Sequence, residues 1–243
     1  MSRADVAAVI VAAGRGSRMG GLVNKVLLPL GGRSLLIRSL EVFTASPLLG
    51  QIVVVIAAEE QEQIKQEVAS IGRDADRIRL IAGGATRHIS EGRGIGALSV
   101  AISAGDIQVV LVHDAARPFV TSRDIERVVE GVGQYGAVVP ALPVEGENLM
   151  AVTSRGEFAS APKGLWAIQT PQGFSAKLIL EAHQLARRTG FVGVDTAAVA
   201  EHAGHPVHAV EGSRRNFKIT TPEDLLLAEA LWKSGSDPHR LQL

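Results

Sequence analysis

Four runs of apolar, mostly β-branched residues divide the first half of the chain, at 6–13, 52–58, 78–82 and 109–113. Runs without polar alternation fit strands covered on both faces, as in a parallel sheet between helical layers. The stretches between them carry a period near that of a helix. Leu35, Leu36, Ser39, Leu40 and Phe43 share one stripe over 34–45, and Ile64, Val68 and Ile71 share another over 59–71. Repeated strand–helix alternation predicts right-handed crossovers and an α/β fold with a doubly wound, mostly parallel sheet. A further helix is expected over 121–135, where Thr121 and Asp124 have capping-box spacing.

The rhythm then changes. Strands are expected at 137–144 and 165–169, whereas 145–163 between them is polar and punctuated by glycine. This reads as a β-arm over about 143–164, protruding from a single domain that spans 1–243. An isolated two-stranded ribbon is marginal in water, so the arm is expected to find a partner, most simply a second copy in a homodimer. Helices follow at 175–188 and 195–203, with strands at 206–210 and 217–220. The last helix starts at Thr221, with Pro222 at its first position and Asp224 placed to close a capping box. The tail 235–243 is expected to be loose.

Composition narrows the chemistry. The 243 residues include no cysteine, which removes disulfide scaffolds, thiolate metal sites and a cysteine nucleophile. Lys and Arg total 25 against 25 Asp and Glu, a balance that predicts no nucleic-acid or membrane partner. The first apolar run is short, β-branched and followed by a basic glycine-rich turn, so it is expected to be a buried strand and not a secretion signal. A cytoplasmic protein is the expectation.

That turn is the first chemical feature. Strand one leads into Ala12-Ala13-Gly14-Arg15-Gly16-Ser17-Arg18-Met19-Gly20-Gly21, and Lys25 follows. The dinucleotide pattern G-x-G-x-x-G fails at Met19, with no acid near Leu35 to meet a ribose; the P-loop pattern fails because no Gly-Lys-Ser/Thr occurs. What remains is a glycine turn with three cations at a strand's carboxyl end, which favours an anion over a merely solvated loop. On the residues alone, Asp114 fits a turn-forming carboxylate as well as a ligand for a hard cation. Ser90 fits a helix-surface serine, whereas a merely solvated Lys218 is made less apt by its apolar neighbours Phe217 and Ile219, which fix the local alternation. His202, His205 and His208 have an inviting spacing, but Gly204 and Pro206 should turn them apart. Asp195 and Thr196 read as a helix cap, and Trp166 and Trp232 as packing residues.

Five segments together carry a resemblance. The glycine turn with Lys25 is similar to the signature of sugar-nucleotide pyrophosphorylase-type nucleotidyltransferases. Gly83-Gly84-Ala85-Thr86-Arg87-His88-Ile89-Ser90, Val112-His113-Asp114-Ala115-Ala116-Arg117-Pro118, Gln169-Thr170-Pro171-Gln172-Gly173-Phe174 and the stretch from Asn216 to Leu225 resemble the 2-C-methyl-D-erythritol 4-phosphate cytidylyltransferases in order and spacing.

The resemblance implies a Rossmann-like nucleotidyltransferase fold and transfer of a cytidylyl group from CTP to a sugar-alcohol phosphate, with release of pyrophosphate and with Mg²⁺ as cofactor. It implies that Arg18, Lys25 and Lys218 answer the phosphate charge, and that Ala12, Ala13, Gly14 and Gly16 cradle the nucleotide. Gly83, Gly84 and Ser90 would read cytosine, with Arg87 bracing that loop. Asp114 would bind the metal and the acceptor, with Ala115, Thr170 and Lys163 also on the substrate side. His113 beside Asp114 is expected to be structural, because an ionised phosphate nucleophile needs no base. On the arm, Gly146, Glu147 and Pro162 depart from the family pattern and leave Arg155 or Lys163 to meet the acceptor phosphate. The expected acceptor is methylerythritol 4-phosphate. Ribitol 5-phosphate is the alternative acceptor, and an idle nucleotide-binding module is the alternative class.

Overall fold

The computed structural model describes residues 5–14, 24–144, 150–152, 155, 157–160 and 163–235. In chain order the strands are β1 (Val6–Val11), β2 (Pro29–Leu30), β3 (Arg33–Ser34), β4 (Leu49–Ile56), β5 (Ile78–Ala82), β6 (Val109–Asp114), β7 (Ala137–Pro143), β8 (Met150–Val152), β9 (Phe158–Ser160), β10 (Trp166–Ile168), β11 (Gln172–Ser175) and β12 (His208–Glu211). The helices are α1 (Leu35–Ala45), α2 (Gln61–Ala69), α3 (Arg87–Gly96), α4 (Ser99–Ala104), α5 (Ser122–Tyr135), α6 (Ala176–Thr189), α7 (Thr196–His202) and α8 (Pro222–Lys233). None of the described helices is long and apolar enough to cross a membrane.

The four expected runs form the parallel half of the sheet, in the order β6, β1, β4, β5. Along β1, Val6, Ala8 and Ile10 pack with Leu36, Leu40, Phe43, Ile64 and Ile125 on one face. Ala7 and Val9 pack with Ile95, Ile102, Ile179 and Val199 on the other. Two covered faces explain why this strand shows no polar alternation. Beyond β6 comes β11, antiparallel to both β6 and β7, and β12 then runs parallel along the far edge of β7. The sheet is mixed but mostly parallel.

Several expected elements shift. The 217–220 strand does not form: the segment has no regular secondary structure and pairs with no strand, and its Ile219 N–H donates to Ala116 O at 2.9 Å. Its alternation was read correctly as to faces, since Phe217 and Ile219 pack with Leu30, Leu35 and Phe119. β11 is an additional strand, hidden because Pro171, Gln172 and Gly173 are poor strand formers. A Cβ at Gly173 would stand 2.4 Å from Val128 Cγ1 of α5, so glycine is what lets that helix lie on the strand. The arm region contains the β7–β10 pairing at its base and a separate β8–β9 hairpin. Trp166 is 53% exposed and thus not the packing residue expected, whereas Trp232 packs beside Phe119 under the Arg38 guanidinium, 4.1 Å from its ring centre.

Candidate active site

A cleft of about 790 Å³ opens where β1, β5 and β6 end, the edge at which open α/β sheets bind ligands. Ala12, Ala13 and Gly14 leave β1 along one side of it, and Gly83 and Gly84 leave β5. A Cβ at Gly83 would lie 2.5 Å from Ala13 Cβ and 2.9 Å from Ser90 Oγ; glycine alone allows the two strand ends and α3 to meet. Ser90 is buried, not a surface serine. Its hydroxyl accepts from Gly84 N–H at 3.0 Å and donates to Thr86 O at 3.0 Å, while Thr86 caps α3. A rigid floor of backbone and one hydroxyl results, with no bulk to spare.

Lys25 stands on a short 3₁₀ turn, Lys25–Leu27, whose start Asn24 fixes: Asn24 Oδ1 accepts from Val26 N–H at 3.3 Å. Asn24 Nδ2 donates to Ala12 O at 3.0 Å and Glu60 Oε2 at 2.8 Å, tying the turn to the glycine segment. The buried Lys25 ammonium donates to Ile219 O at 3.1 Å. Sequence reasoning gave Asn24 no role, because a lone Asn before a lysine carries no signal of a cap to a turn this short.

Asp114, last residue of β6, gathers cations. Lys218 Nζ donates to Oδ2 at 2.8 Å, and Arg87 Nε and Nη2 donate to Oδ1 at 3.3 and 3.2 Å. Arg117 Nε lies 3.9 Å from Oδ2. Burial by itself would raise the Asp114 pKa, but Arg87, then Lys218 and Arg117, outweigh it and hold the carboxylate well below its usual range. A hard divalent cation needs several free oxygen ligands. Both Asp114 oxygens already accept from cations, and among the described residues no group of three or more His, Asp or Glu could hold a metal. These residues make no closed cage for Mg²⁺; a single carboxylate would serve such an ion only together with phosphate oxygens and water, and in this structure Asp114 is an ion-pair hub.

Behind the hub lies a buried polar network. Asp114 N–H donates to Thr170 Oγ1 at 3.1 Å, and that hydroxyl lies 3.0 Å from His113 Nδ1. The Thr170 proton then goes to Nδ1, and His113 Nε2–H is left to donate to Arg117 O at 3.3 Å. Burial pushes the His113 pKa down to about 3, so the ring is neutral and fully engaged. Arg117 donates to Asn216 O at 2.7 Å, Asn216 Nδ2 donates to Thr170 O at 2.7 Å, and the Gln169 amide pairs with both Ser213 N and O. These bonds pin the segment that carries Lys218 and Ile219.

Not every expected residue reaches the cleft. Ala115 is fully buried in the core beside it, Thr170 supports Asp114 from behind, and Lys163 sits on an exposed turn. None of the three lines the cleft. Arg155 is likewise exposed. Arg15, Gly16, Arg18, Gly146, Glu147 and Pro162 lie outside the described residues. Asp195 caps α7 as expected, accepting from Ala198 N–H at 2.9 Å. His202 stacks on Phe191 and His208 on Tyr135, so the two rings have separate packing partners.

The family described as 2-C-methyl-D-erythritol 4-phosphate cytidylyltransferase matches residues 6–234. A protein of that name from Geobacillus kaustophilus is 41% identical over 231 residues, covering 93% of this chain and 96% of its own. One from Bacillus velezensis is 39% identical, covering 96% and 98%. Among solved structures, the enzyme of that name from Thermus thermophilus superposes with a TM-score of 0.74 at 36% identity over 94% of this chain and 99% of its own. The 4-diphosphocytidyl-2C-methyl-D-erythritol synthase from Anaerococcus prevotii gives 0.80 at 26% identity over 95% and 97%.

Proposed function

The chain belongs to the 2-C-methyl-D-erythritol 4-phosphate cytidylyltransferase family of nucleotidyltransferases, and we propose that it transfers the cytidylyl group of CTP to 2-C-methyl-D-erythritol 4-phosphate, releasing pyrophosphate, in isoprenoid biosynthesis. An acceptor phosphate oxygen attacks the α-phosphorus. The new P–O bond forms as the bond to the β-phosphate oxygen breaks, and the electron pair leaves on pyrophosphate. Little covalent work falls to the protein; the demand is for fixed positive charge beside the oxygens that gain negative charge.

The observation that carries this reading is the meeting of Lys25 and Lys218, far apart in sequence, at one strand-end cleft. Lys25 bonds the carbonyl of the residue that follows Lys218. Both ammonium groups are placed to exchange an internal acceptor for phosphate oxygens, and we assign Arg18 to the same task from the glycine turn. Gly83, Gly84 and Ser90 form the cytosine floor in this reading, too tight for a purine. Asp114 aims Lys218 and meets the acceptor's hydroxyls. No base is required, because a phosphate monoester is largely ionised near neutral pH. His113, with both nitrogens engaged, is a poor candidate for one. We assign the divalent ion to the triphosphate's own oxygens.

We also propose a homodimer through the arm. Supporting it, Trp166 and Ile168 of β10 leave 53% and 45% of their surfaces exposed beside Val144 and Leu165, an apolar strip of the kind that marks an interface. A monomeric mass by sedimentation at micromolar protein would contradict it.

Pyrophosphate release with methylerythritol 4-phosphate, measured with CTP, UTP, ATP and GTP in turn, tests the whole assignment. It predicts turnover with CTP and none with the purine nucleotides; equal rates with all four would refute the cytosine floor.

A further inference from the structure

Glu91 is a fully buried carboxylate on α3, one turn beyond Arg87, and the transfer chemistry above makes no use of it. Its Oε1 lies 2.6 Å from Arg87 Nη1. By strict geometry neither oxygen, nor the buried Thr196 hydroxyl beside it, completes a hydrogen bond among the described residues, although Thr196 stands close enough to act on the carboxyl as a hydrogen-bond donor. On a helix surface an Arg and a Glu at this spacing would be unremarkable. Buried, the pair has left water without full hydrogen bonding, which is weak support for the fold.

Arg87 gives the arrangement a purpose. Its Nε and Nη2 face Asp114 Oδ1 at 3.3 and 3.2 Å while Nη1 faces Glu91, so two carboxylates grip the planar guanidinium on two edges. Asp114 keeps its other oxygen on Lys218 at 2.8 Å. We propose that Glu91 is a positioning residue for cytidylyl transfer: it turns Arg87 so that the guanidinium holds Asp114 Oδ1, leaving Oδ2 to aim Lys218 into the cleft. The inference rests on reading that cleft as the transfer site.

The charges facing Glu91 are Arg87 on its own helix, Asp114 at the end of β6 and Asp195 ahead of α7. Burial raises its pKa to about 7 against the pull of Arg87, with Asp114 and Asp195 adding to the rise and Thr196 opposing it. A carboxyl whose folded pKa exceeds its unfolded value of 4.5 gives stability that is full below that value and lost as pH rises through about 7. Above pH 7 the ionised form therefore weighs against the fold, whereas the Arg87 grip requires it. A neutral isostere should move stability and activity in opposite directions, which a residue with a purely structural role would not do.

The test is Glu91→Gln in the full chain, melted and assayed from about pH 6 to pH 8.5, with Glu91→Leu as a second variant that removes both charge and polarity. Expected are a higher Tm than wild type above pH 7, a kcat lowered about tenfold with KM for CTP little changed, and loss of an inflection near pH 7 from the kcat profile. The acceptor phosphate's own ionisation, near pH 6, is common to both proteins and cancels in the comparison. An active wild type beside a Gln variant with the same kcat and pH profile would overturn the inference alone. So would variants that lose stability and activity together at every pH. A wild type that releases no pyrophosphate would overturn the functional reading and take this inference with it.

Discussion

Lys25 donates to a carbonyl 194 residues further along the chain, which makes its ammonium a product of the whole fold. Lys25→Ala should cut kcat by about 10²–10³ while the circular dichroism spectrum stays that of the wild type, and a variant with full turnover would refute the lysine's role. Arg87→Ala tests the hub differently: Asp114 would lose its largest stabilising charge, so its carboxyl pKa should rise, visible by NMR titration of that residue. Much of the site was legible at this scale. The glycines and Lys25 show chemical character in one short segment, whereas Asp114, Lys218 and Ser90 stand out through the resemblance of their segments to the family. Asn24, Asn216 and Glu91 were not legible, because a polar side chain buried by tertiary contact looks in sequence like any surface residue. The family resemblance places Thr170 and Ala115 on the substrate side, yet Ala115 is fully buried after the end of β6 and the Thr170 hydroxyl is taken up by Asp114 N–H and His113.

At the scale of elements, the decisive piece is the segment from Ser213 to Ile219, which joins no sheet. The apolar alternation of its end, from Phe217 to Ile219, resembles a strand, but among the described residues the one backbone–backbone bond it makes there is from Ile219 N–H to the turn residue Ala116. It is held instead by Asn216, Arg117 and Gln169. Asn216→Ala should therefore lower kcat by about tenfold or more, with KM for CTP affected less. Equal kcat to wild type would show that the segment keeps Lys218 in place without this tether. The helices were the more legible elements because their signals are local. Thr121 and Asp124 do form the reciprocal cap of α5, as Thr221 and Asp224 do for α8. Thr121→Ala should cost about 1 kcal/mol in urea unfolding and leave kcat unchanged.

For the whole molecule, the formal charge of zero conceals a division of labour. Cations converge on the cleft, whereas Glu59 ahead of α2 and Glu62 on it lie exposed. The parallel half of the sheet was legible because both its faces are covered and its runs are uninterrupted; the antiparallel insert β11 was not, since its residues suit helix packing more than strand propensity. Buried neutral histidines set the acid limit of the fold. Burial lowers His113 to about 3 and, with help from His88, His183 to about 4, against 6.5 when unfolded. The unfolded chain therefore binds more protons below pH 6.5, and stability falls as pH drops, by roughly 1 kcal/mol per unit for each ring. Glu91 opposes this between about 7 and 4.5, so Glu91→Gln should steepen the acid loss.

The central claim is cytidylyl transfer to a methylerythritol phosphate at the Lys25–Lys218 cleft. Pyrophosphate release from CTP, measured side by side with 2-C-methyl-D-erythritol 4-phosphate and ribitol 5-phosphate, tests it most directly. The account predicts a kcat/KM higher by at least about a hundredfold for the methylerythritol acceptor. Turnover with ribitol 5-phosphate alone, or CTP binding with no release from either acceptor, would contradict it.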